Sequence, residues 1–310
     1  MSNFFSLCLN LIQQKDPAQK CLGTKELYAQ LINAPEKISF TALPNIQSIS
    51  DAGRPERPQL VPPLEVPKRS MATVAGHASL IHALAHIEFN AINLALDACY
   101  RYQDMPSDYY QDWLQVAAEE AYHFELLDNH LITLGYRYGD FAAHNGLWEM
   151  AHKTENSLLA RMGMIPRLLE ARGIDAIPVM QTKLDQLRDS EAIKILDIIH
   201  QDEIKHVSYG DKWFKYLCQL NNLDVEATYF SLMQRFNAPK IRGNFNRADR
   251  KKAGFSDSEL DHLIALTKDN HEKKSSSLIC LTFRYIYFCS GNRLCKKHRI
   301  PFCQYTTFLF

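Results

Sequence analysis

The chain has 310 residues, 46% of them hydrophobic, and its 35 Lys and Arg balance its 35 Asp and Glu. This length can bury a large core in one or two domains. Residues 271–310 hold seven of the basic residues and only one acidic residue, Glu272, so residues 1–270 carry a formal net charge of −6. An acidic body lacks the basic surface of a general nucleic-acid-binding protein, and we expect no nucleic-acid partner.

Targeting and membrane segments are not evident in the sequence. Residues 1–14 show no basic n-region and no small-residue cleavage site, and no apolar run approaches the roughly 18 residues of a membrane span. Residues 1–270 contain four scattered cysteines and no Cys-x-x-Cys pair: Cys8, Cys21, Cys99 and Cys218. These features predict a cytoplasmic protein with reduced thiols and no membrane partner.

Residues 1–69 predict short helices followed by an extended arm. The apolar pattern of residues 1–33 favours short helices. Seven prolines between residues 34 and 69 exclude a long helix there. We expect the segment Gly53–Pro58 to be extended and to run over the outside of the main body.

Residues 70–220 predict an all-α four-helix bundle, since they are rich in alanine and other helix-forming residues. Ser107 is the predicted N-cap of the second helix, and Gly173 and Pro178 are predicted to stop the third. Nineteen residues, 135–153, connect the two hairpins, more than the about 12 extended residues that would span a bundle of roughly 40 Å. We place the helices at about 71–103, 107–134, 154–172 and 189–220, with a short helix at 179–187.

The remaining residues predict small helices and then a change of composition. Residues 221–270 predict a helix at about 223–236, a loop, and a small helix capped by Ser256. Residues 271–310 contain no Ala and no Asp, and we interpret them as a poorly ordered, non-native or frameshifted tail rather than a zinc knuckle. Their four cysteines have spacings that match no usual zinc finger: Cys280, Cys289, Cys295 and Cys303.

A repeated carboxylate and imidazole pattern lies within the predicted bundle. The motif Glu-x-x-His occurs twice in long predicted helices, and each copy follows another Glu by 32 or 33 residues, the length of one helix and a turn. On a helix, residues i and i+3 lie about 60° apart around the axis, so the two side chains of each motif reach toward one point. Two such hairpins form the arrangement of di-iron and di-manganese carboxylate bundles. The six predicted metal ligands are Glu88, Glu120, His123, Glu170, Glu203 and His206.

Other histidines receive a different interpretation. A single Glu-x-x-His is weak evidence for a metal site. Two further matches are interpreted as surface pairs, because one lies in the connection between the hairpins and the other in a span that Pro and Gly interrupt. These matches are Glu149 with His152 and Glu259 with His262. His82 and His86, four residues apart on the first long helix, are interpreted as hydrogen-bonded histidines rather than ligands.

Burial and charge favour a metal at the repeated motif. Glu88 lies among apolar residues and Glu203 follows an isoleucine-rich stretch. A carboxylate in apolar surroundings is costly unless it is paired or bound to metal, and two divalent cations neutralise four carboxylates. Carboxylates and imidazoles without thiolates suit iron or manganese better than zinc. We therefore predict two iron ions, with manganese as the alternative and with Glu120 and Glu203 as candidate bridging ligands.

Two alternatives exist for Glu119 and Asp202, the acids that immediately precede the two motifs. Asp202 can orient His123, and Glu119 can orient His206, across the bundle. Alternatively, both acids lie exposed on the outer face of their helices, and the sequence leaves these alternatives open. No separate catalytic acid or base can be named.

Four segments carry a resemblance to a known family: His86–Asp97, Glu119–Phe124, Leu168–Gly173 and Asp202–Val207. At these residues the chain resembles the ferritin-like superfamily and, more closely, the ferritin-like domain-of-unknown-function family 455. Gly53-Arg54-Pro55 and Ala253-Gly254-Phe255 also look like features of this family, and the resemblance covers about residues 50–265.

A more distant likeness is to the non-haem di-iron tRNA hydroxylases, which place a Glu-Ala-Arg element on the third helix. Glu170-Ala171-Arg172 matches that element, so the likeness supports Glu170 over Glu155 as the third-helix ligand. It implies oxygen-dependent hydroxylation. It does not imply that tRNA is the substrate, because the acidic residues 1–270 offer no obvious surface for binding phosphates.

Three functions remain open at this stage. The preferred one is a di-iron, O₂-dependent oxidoreductase or hydroxylase with a small-molecule substrate and an unidentified electron donor. The second is a non-enzymatic iron-binding or ferroxidase protein, and the third is a structural bundle without metal. A homodimer is left open.

Overall fold

The computed structural model describes residues 1–239 and 245–267, which are predominantly helical and confirm the predicted all-α fold. The chain divides into two compact units. One comprises residues 1–238 and 246–255, and the described part of the other comprises residues 239, 245 and 256–267. The helices of the first unit are α1 Phe4–Gln13, α2 Pro17–Asn33, α3 Val74–Arg101, α4 Ser107–Thr133, α5 Gly146–Lys153, α6 Leu158–Met164, α7 Ala171–Gln186, α8 Ser190–Leu220, α9 Val225–Arg235 and α10 Arg247–Lys252.

The N-terminal region forms short helices and an extended arm, as expected. Helix α1 packs against α3, and α2 packs against α4. Two-residue strands pair in parallel, β1 Ser2–Asn3 with β2 Ile38–Ser39. The arm is held by the buried Lys20, whose ammonium donates to the carbonyl oxygens of Ile12 and Gly53 and to the side chain of Asn93.

Long helices form the centre of the first unit. Helix α3 packs against α4, α7 packs against α8, and α4 also packs against α8. Helix α3 is capped by Thr73, whose hydroxyl accepts from the Gly76 N–H. The predicted N-cap of α4 was wrong by one residue, because Ser107 is already helical and Pro106 occupies the cap. Pro106 supplies the extended cap conformation, with φ −56° and ψ 152°, that its ring favours.

The third helical segment extends further than predicted. After α6, a π-helical turn spans Ile165–Glu170 and leads directly into α7, which runs through Gly173 and Pro178 to Gln186. The predicted stop was therefore wrong, and the separate helix at 179–187 is the end of α7. An interior proline costs about 3 kcal/mol, whereas each fully buried aliphatic side chain contributes about 1.5–3 kcal/mol. A buried stripe on α7 outweighs the proline: Ile174, Ile177, Met180 and Leu184.

The connection between the hairpins contains the short helix α5. Trp148 on α5 is buried and donates its indole N–H to the Ile49 carbonyl of the arm. His82 accepts a hydrogen bond from the Gly139 N–H, and His86 lies 2.9 Å from the Tyr138 hydroxyl. Both histidines are thus hydrogen-bonded in the interior, which confirms their interpretation.

The second unit contains a helix that follows Ser256. The Ser256 hydroxyl accepts from the Glu259 N–H, and the Glu259 carboxylate accepts from the Ser256 N–H, which forms a reciprocal capping box. The predicted N-cap is confirmed, but Glu259 is buried, so its interpretation as a surface residue was wrong. Glu149 and His152 are exposed, as expected. The tail predicted at 271–310 lies outside the described residues.

No helix in the described part of the chain has the length and apolar character to cross a membrane.

Candidate metal centre

The six predicted ligands lie on four helical segments. Glu88 is in the middle of α3, the first Glu-x-x-His motif is in the middle of α4, and the second is in the middle of α8. Glu170 is the last residue of the π-helical turn. Glu88, Glu120 and Glu203 are all buried because the helix faces that carry them are otherwise apolar and pack inward.

Five of the six side chains form two trios that share one carboxylate. Glu88, Glu120 and His123 offer ligand atoms within 4.8 Å of one another, and so do Glu120, Glu203 and His206. His123 Nδ1 lies 3.4 Å from both Glu88 Oε2 and Glu120 Oε2, and His206 Nδ1 lies 2.9 Å from Glu120 Oε1. The two oxygens of Glu120 therefore face different imidazoles, which is the position of a ligand between two cations.

Glu170 and Glu203 complete the cluster. Glu170 lies outside both trios, but its charge interacts with Glu120, Glu203 and His206. A Cβ added at Gly173 would lie 3.5 Å from the Glu203 carboxyl carbon, so this glycine leaves room beside that group. Glu155, the alternative third-helix acid, instead accepts a hydrogen bond from Ser48.

The donor atoms of this cluster fit a metal centre. Buried polar atoms normally have hydrogen-bond partners, since leaving one unpaired costs about 1–3 kcal/mol. Here five buried atoms of the predicted ligands make no hydrogen bond: Glu88 Oε2, Glu120 Oε1, Glu170 Oε2, Glu203 Oε2 and His206 Nδ1. Oxygen and imidazole donors without a hydrogen bond, gathered in one buried place, are what cations require.

The outer nitrogen of each imidazole contacts an acid from the facing helix. His123 Nε2 lies 3.0 Å from Asp202 Oδ2, and His206 Nε2 lies 2.8 Å from Glu119 Oε2. Lys205 links the two acids, because its Nζ donates to Glu119 Oε1 at 2.6 Å and to Asp202 Oδ1 at 3.1 Å. The acids are thus part-buried partners of the imidazoles rather than exposed groups on the outer faces.

Burial and mutual repulsion shift the pKa of the carboxyl groups. Desolvation, followed by the charge of Glu120, raises the pKa of Glu88 to about 8 and that of Glu170 to about 8. The same causes hold the pKa of Glu203 well above its usual range. Burial would also raise the pKa of Glu120, but its contacts with His123 and His206 outweigh burial and lower that pKa. Without cations, protonation is thus favoured at the three carboxyl groups Glu88, Glu170 and Glu203.

The pKa values of the two imidazoles shift in the opposite direction to those of ordinary buried histidines. Burial disfavours the imidazolium, but Asp202 and Glu120 outweigh it and hold the pKa of His123 well above its usual range. Glu119 and Glu120 likewise raise the pKa of His206 to about 10. A cation that binds here must displace protons, so its binding is coupled to proton release.

Sequence reasoning missed three features of this site. Lys205 was not singled out, although its spacing of three from Asp202 on one helix predicts contact between them. The π-helical turn that ends at Glu170 was also missed, and Pro166 within an apolar helical stretch was its only sequence indication. The space that Gly173 leaves beside Glu203 depends on how two helices pack, and no local pattern predicts it.

The fold and the cluster together define an all-α bundle protein with buried carboxylate and imidazole groups that can hold metal ions. The model of the family DUF455, protein of unknown function, matches residues 13–261, and the chain belongs to this family. This confirms the resemblance to family 455 and extends it toward the N-terminus. An uncharacterized protein of Haemophilus influenzae is 42% identical over 269 residues, covering 84% of this chain and 93% of that relative. No solved structure matches the chain.

Proposed function

We propose that this protein is a ferritin-like di-iron protein that uses O₂ to oxidise, and most simply to hydroxylate, a small organic substrate. The observation that carries the proposal is the pair of ligand trios that share Glu120. Each trio offers two carboxylates and one imidazole, and the shared residue keeps the two cation positions adjacent.

The ligand set favours iron, with manganese as the alternative. Carboxylate oxygens outnumber nitrogens and no thiolate takes part, whereas structural zinc sites usually use Cys and His. Two adjacent iron ions supply the capacity to bind O₂ and to provide electrons for its reduction.

The residues of this chain bind the cations and hold them in place. Glu88 and His123 belong to one cation position, Glu203 and His206 to the other, and Glu120 to both. Glu170 is a further ligand from the π-helical turn. The cluster is buried, and its surroundings exclude bulk water, which strengthens every charge interaction within it.

The orienting acids fix the imidazole tautomers. With Nδ1 of His123 available to a cation, its Nε2 would carry the proton and donate a hydrogen bond to Asp202, and Nε2 of His206 would do the same toward Glu119. Such partners typically raise the basicity of a ligand and hold its ring in place. Lys205 compensates part of the added negative charge.

The substrate class rests on the distant resemblance to di-iron hydroxylases and on charge. The acidic residues 1–270 disfavour a nucleic acid, so a small organic molecule is the preferred substrate. An external electron donor must reduce the iron between turnovers.

The proposal is tested by loading chelator-treated protein with Fe(II) under anaerobic conditions and then adding O₂. We expect about two iron ions per chain, as the paired trios require, and O₂ consumption that depends on this iron. Glu120→Ala should lose both the bound iron and the O₂ consumption, because it removes the ligand that the two trios share. The matched control is Glu149→Ala, which removes an exposed acid from the short helix α5.

Each alternative function predicts a different result in the iron-loading experiment. Continued uptake of many iron ions per chain during oxidation would indicate storage or ferroxidase activity instead of substrate oxidation. Protein that takes up no iron and has the same metal content as Glu120→Ala would be a structural bundle, and the proposal would be wrong.

A further inference from the structure

A second group of metal-ligating side chains lies where three helices begin or end. His77 is in the first turn of α3, His130 is in the last turn of α4, and Asp189 is the N-cap of α8. His77 and Glu88 are eleven residues apart on α3, which places them about 16 Å apart along the axis. This group, called the end cluster below, is therefore separate from the central cluster of carboxylates and imidazoles.

One carboxylate oxygen lies between two imidazole nitrogens in the end cluster. Asp189 Oδ2 is 2.7 Å from His77 Nε2 and 2.7 Å from His130 Nε2. The contact with His130 has hydrogen-bond geometry, whereas His77 Nε2 is buried and makes no hydrogen bond. A nitrogen this close to an oxygen but misaligned for a hydrogen bond indicates donor atoms that converge on a shared point.

The backbone fixes the carboxylate in this position. Asp189 Oδ1 accepts from the Ala192 N–H at 2.9 Å as the cap of α8, which leaves Oδ2 to face the imidazoles. The side chain is therefore held in a fixed orientation.

We propose that His77, His130 and Asp189 form a mononuclear site for a divalent cation, with zinc as the preferred ion. Two imidazole nitrogens and one carboxylate oxygen are the three protein ligands of many zinc sites that keep a fourth position open. The side chains of His77, His130 and Asp189 are 14%, 7% and 8% exposed, so the cluster is not fully closed to solvent.

The distances describe how the site would accept the ion. With metal–ligand bonds of about 2.0–2.1 Å, tetrahedral donor atoms lie about 3.3 Å apart. The two contacts of 2.7 Å must each widen by about 0.6 Å, which small side-chain rotations at helix ends allow. Such an ion would tie together the ends of α3, α4 and α8, the helices that supply five of the six central ligands.

Zinc titration of the chelator-treated full-length protein, with a chromophoric chelator as competitor, tests the proposal. Asp189→Asn keeps an oxygen for the cap but removes the anionic ligand. His130→Gln removes one imidazole. We expect each variant to bind one zinc equivalent fewer than the wild-type protein. The matched control is His152→Gln, which removes a side chain that is 46% exposed and should leave zinc binding unchanged.

A second measurement separates the end cluster from the central one. Co²⁺ added to folded Glu120→Ala protein should give the visible absorption bands of a four-coordinate ion, and Asp189→Asn in the same background should abolish them. The proposal is overturned if all variants bind the same number of zinc ions, or if the Glu120→Ala protein shows no such bands. In either case the end cluster would be an ion-paired His–Asp–His contact only. Because this readout uses the Glu120→Ala background, it does not depend on the proposed di-iron function.

Discussion

Both imidazoles of the central cluster face carboxylates at each of their ring nitrogens. His123 lies between Glu120 on one side and Asp202 on the other, and His206 lies between Glu120 and Glu119. The inner contacts are those a cation would replace, while the outer ones would persist. At the proposed metal centre the outer acids would therefore act on metal affinity through the imidazoles and not by binding the ion.

Asp202→Asn should lower the affinity for iron by about 10–100-fold, the usual effect of losing the partner of a metal-binding histidine. The substitution weakens the acceptor that holds the proton on His123 Nε2. Competition with a chelator of known affinity measures the change. Asp197→Asn is the control, because Asp197 lies on the same helix and accepts from Gln181 at an exposed position. Equal affinity in Asp202→Asn and the control would remove the orienting role.

Helix α3 is joined to the third helical segment by a buried ionic network. Asp97 is 1% exposed and accepts from Arg101 on its own helix and from Arg161 on α6 at 2.6 Å. Arg161 also donates to the Ala151 carbonyl of α5 at 2.6 Å. One carboxylate thus connects three helices through its contacts with two guanidinium groups.

Asp97→Asn should reduce the free energy of unfolding by about 3–5 kcal/mol, because it leaves Arg161 buried without its anion and removes one of the two acidic partners of Arg101. Denaturant unfolding measures this loss. Glu191→Gln, in an exposed pair with Lys194, should change stability little. A loss no larger than that of the control would contradict the prediction.

The same network predicts a pH dependence. Burial would raise the pKa of Asp97, but Arg161 and Arg101 outweigh it and lower that pKa below its ordinary value of 3.8. The unfolded chain therefore takes up this proton first as the pH falls, and the stabilisation by Asp97 is present above pH 3.8 and lost below it. The difference in stability between wild type and Asp97→Asn should shrink as the pH falls below 3.8.

The π-helical turn depends on close contact with α8. A Cβ at Gly210 would overlap the side chain of Pro166 in the turn, so only glycine fits there. Gly210→Ala should destabilise the protein by about 1–3 kcal/mol through overpacking, and it should also lower iron content by displacing Glu170. Thermal unfolding and metal analysis measure the two effects. Ser208→Ala on the same helix is the control, and identical behaviour of the two variants would count against this role of the turn.

Bound metal should stabilise the whole folded protein against unfolding. Cations that bind only the native state raise stability by mass action, about 2.7 kcal/mol at a free concentration of 100 times the dissociation constant. We expect iron-loaded protein to unfold at a higher temperature than chelated protein, measured by calorimetry. Glu120→Ala should show no such difference if its end cluster is also blocked by Asp189→Asn. A metal-dependent rise that persists in the double variant would show that other residues bind the ions.

A chain truncated after residue 270 should retain stability and iron content. The family match ends at residue 261, and all six central ligands lie before it. Circular dichroism, thermal unfolding and metal analysis of the truncated protein test this. Loss of soluble protein would show that residues 271–310 contribute to folding.

The sequence determined the helical class of this protein, the helices α3, α4 and α8, and the candidate ligand set. These follow from local physics, because a Glu-x-x-His spacing and an apolar period of 3.6 fix which side chains share a helix face. Only the tertiary structure decided that Glu120 is shared, that Lys205 bridges the orienting acids, and that α7 runs through Pro178. It also brought His77, His130 and Asp189 together across 112 residues of sequence. The physical reason is that packing between helices sets these contacts, and its energy exceeds the local preferences that a sequence pattern records.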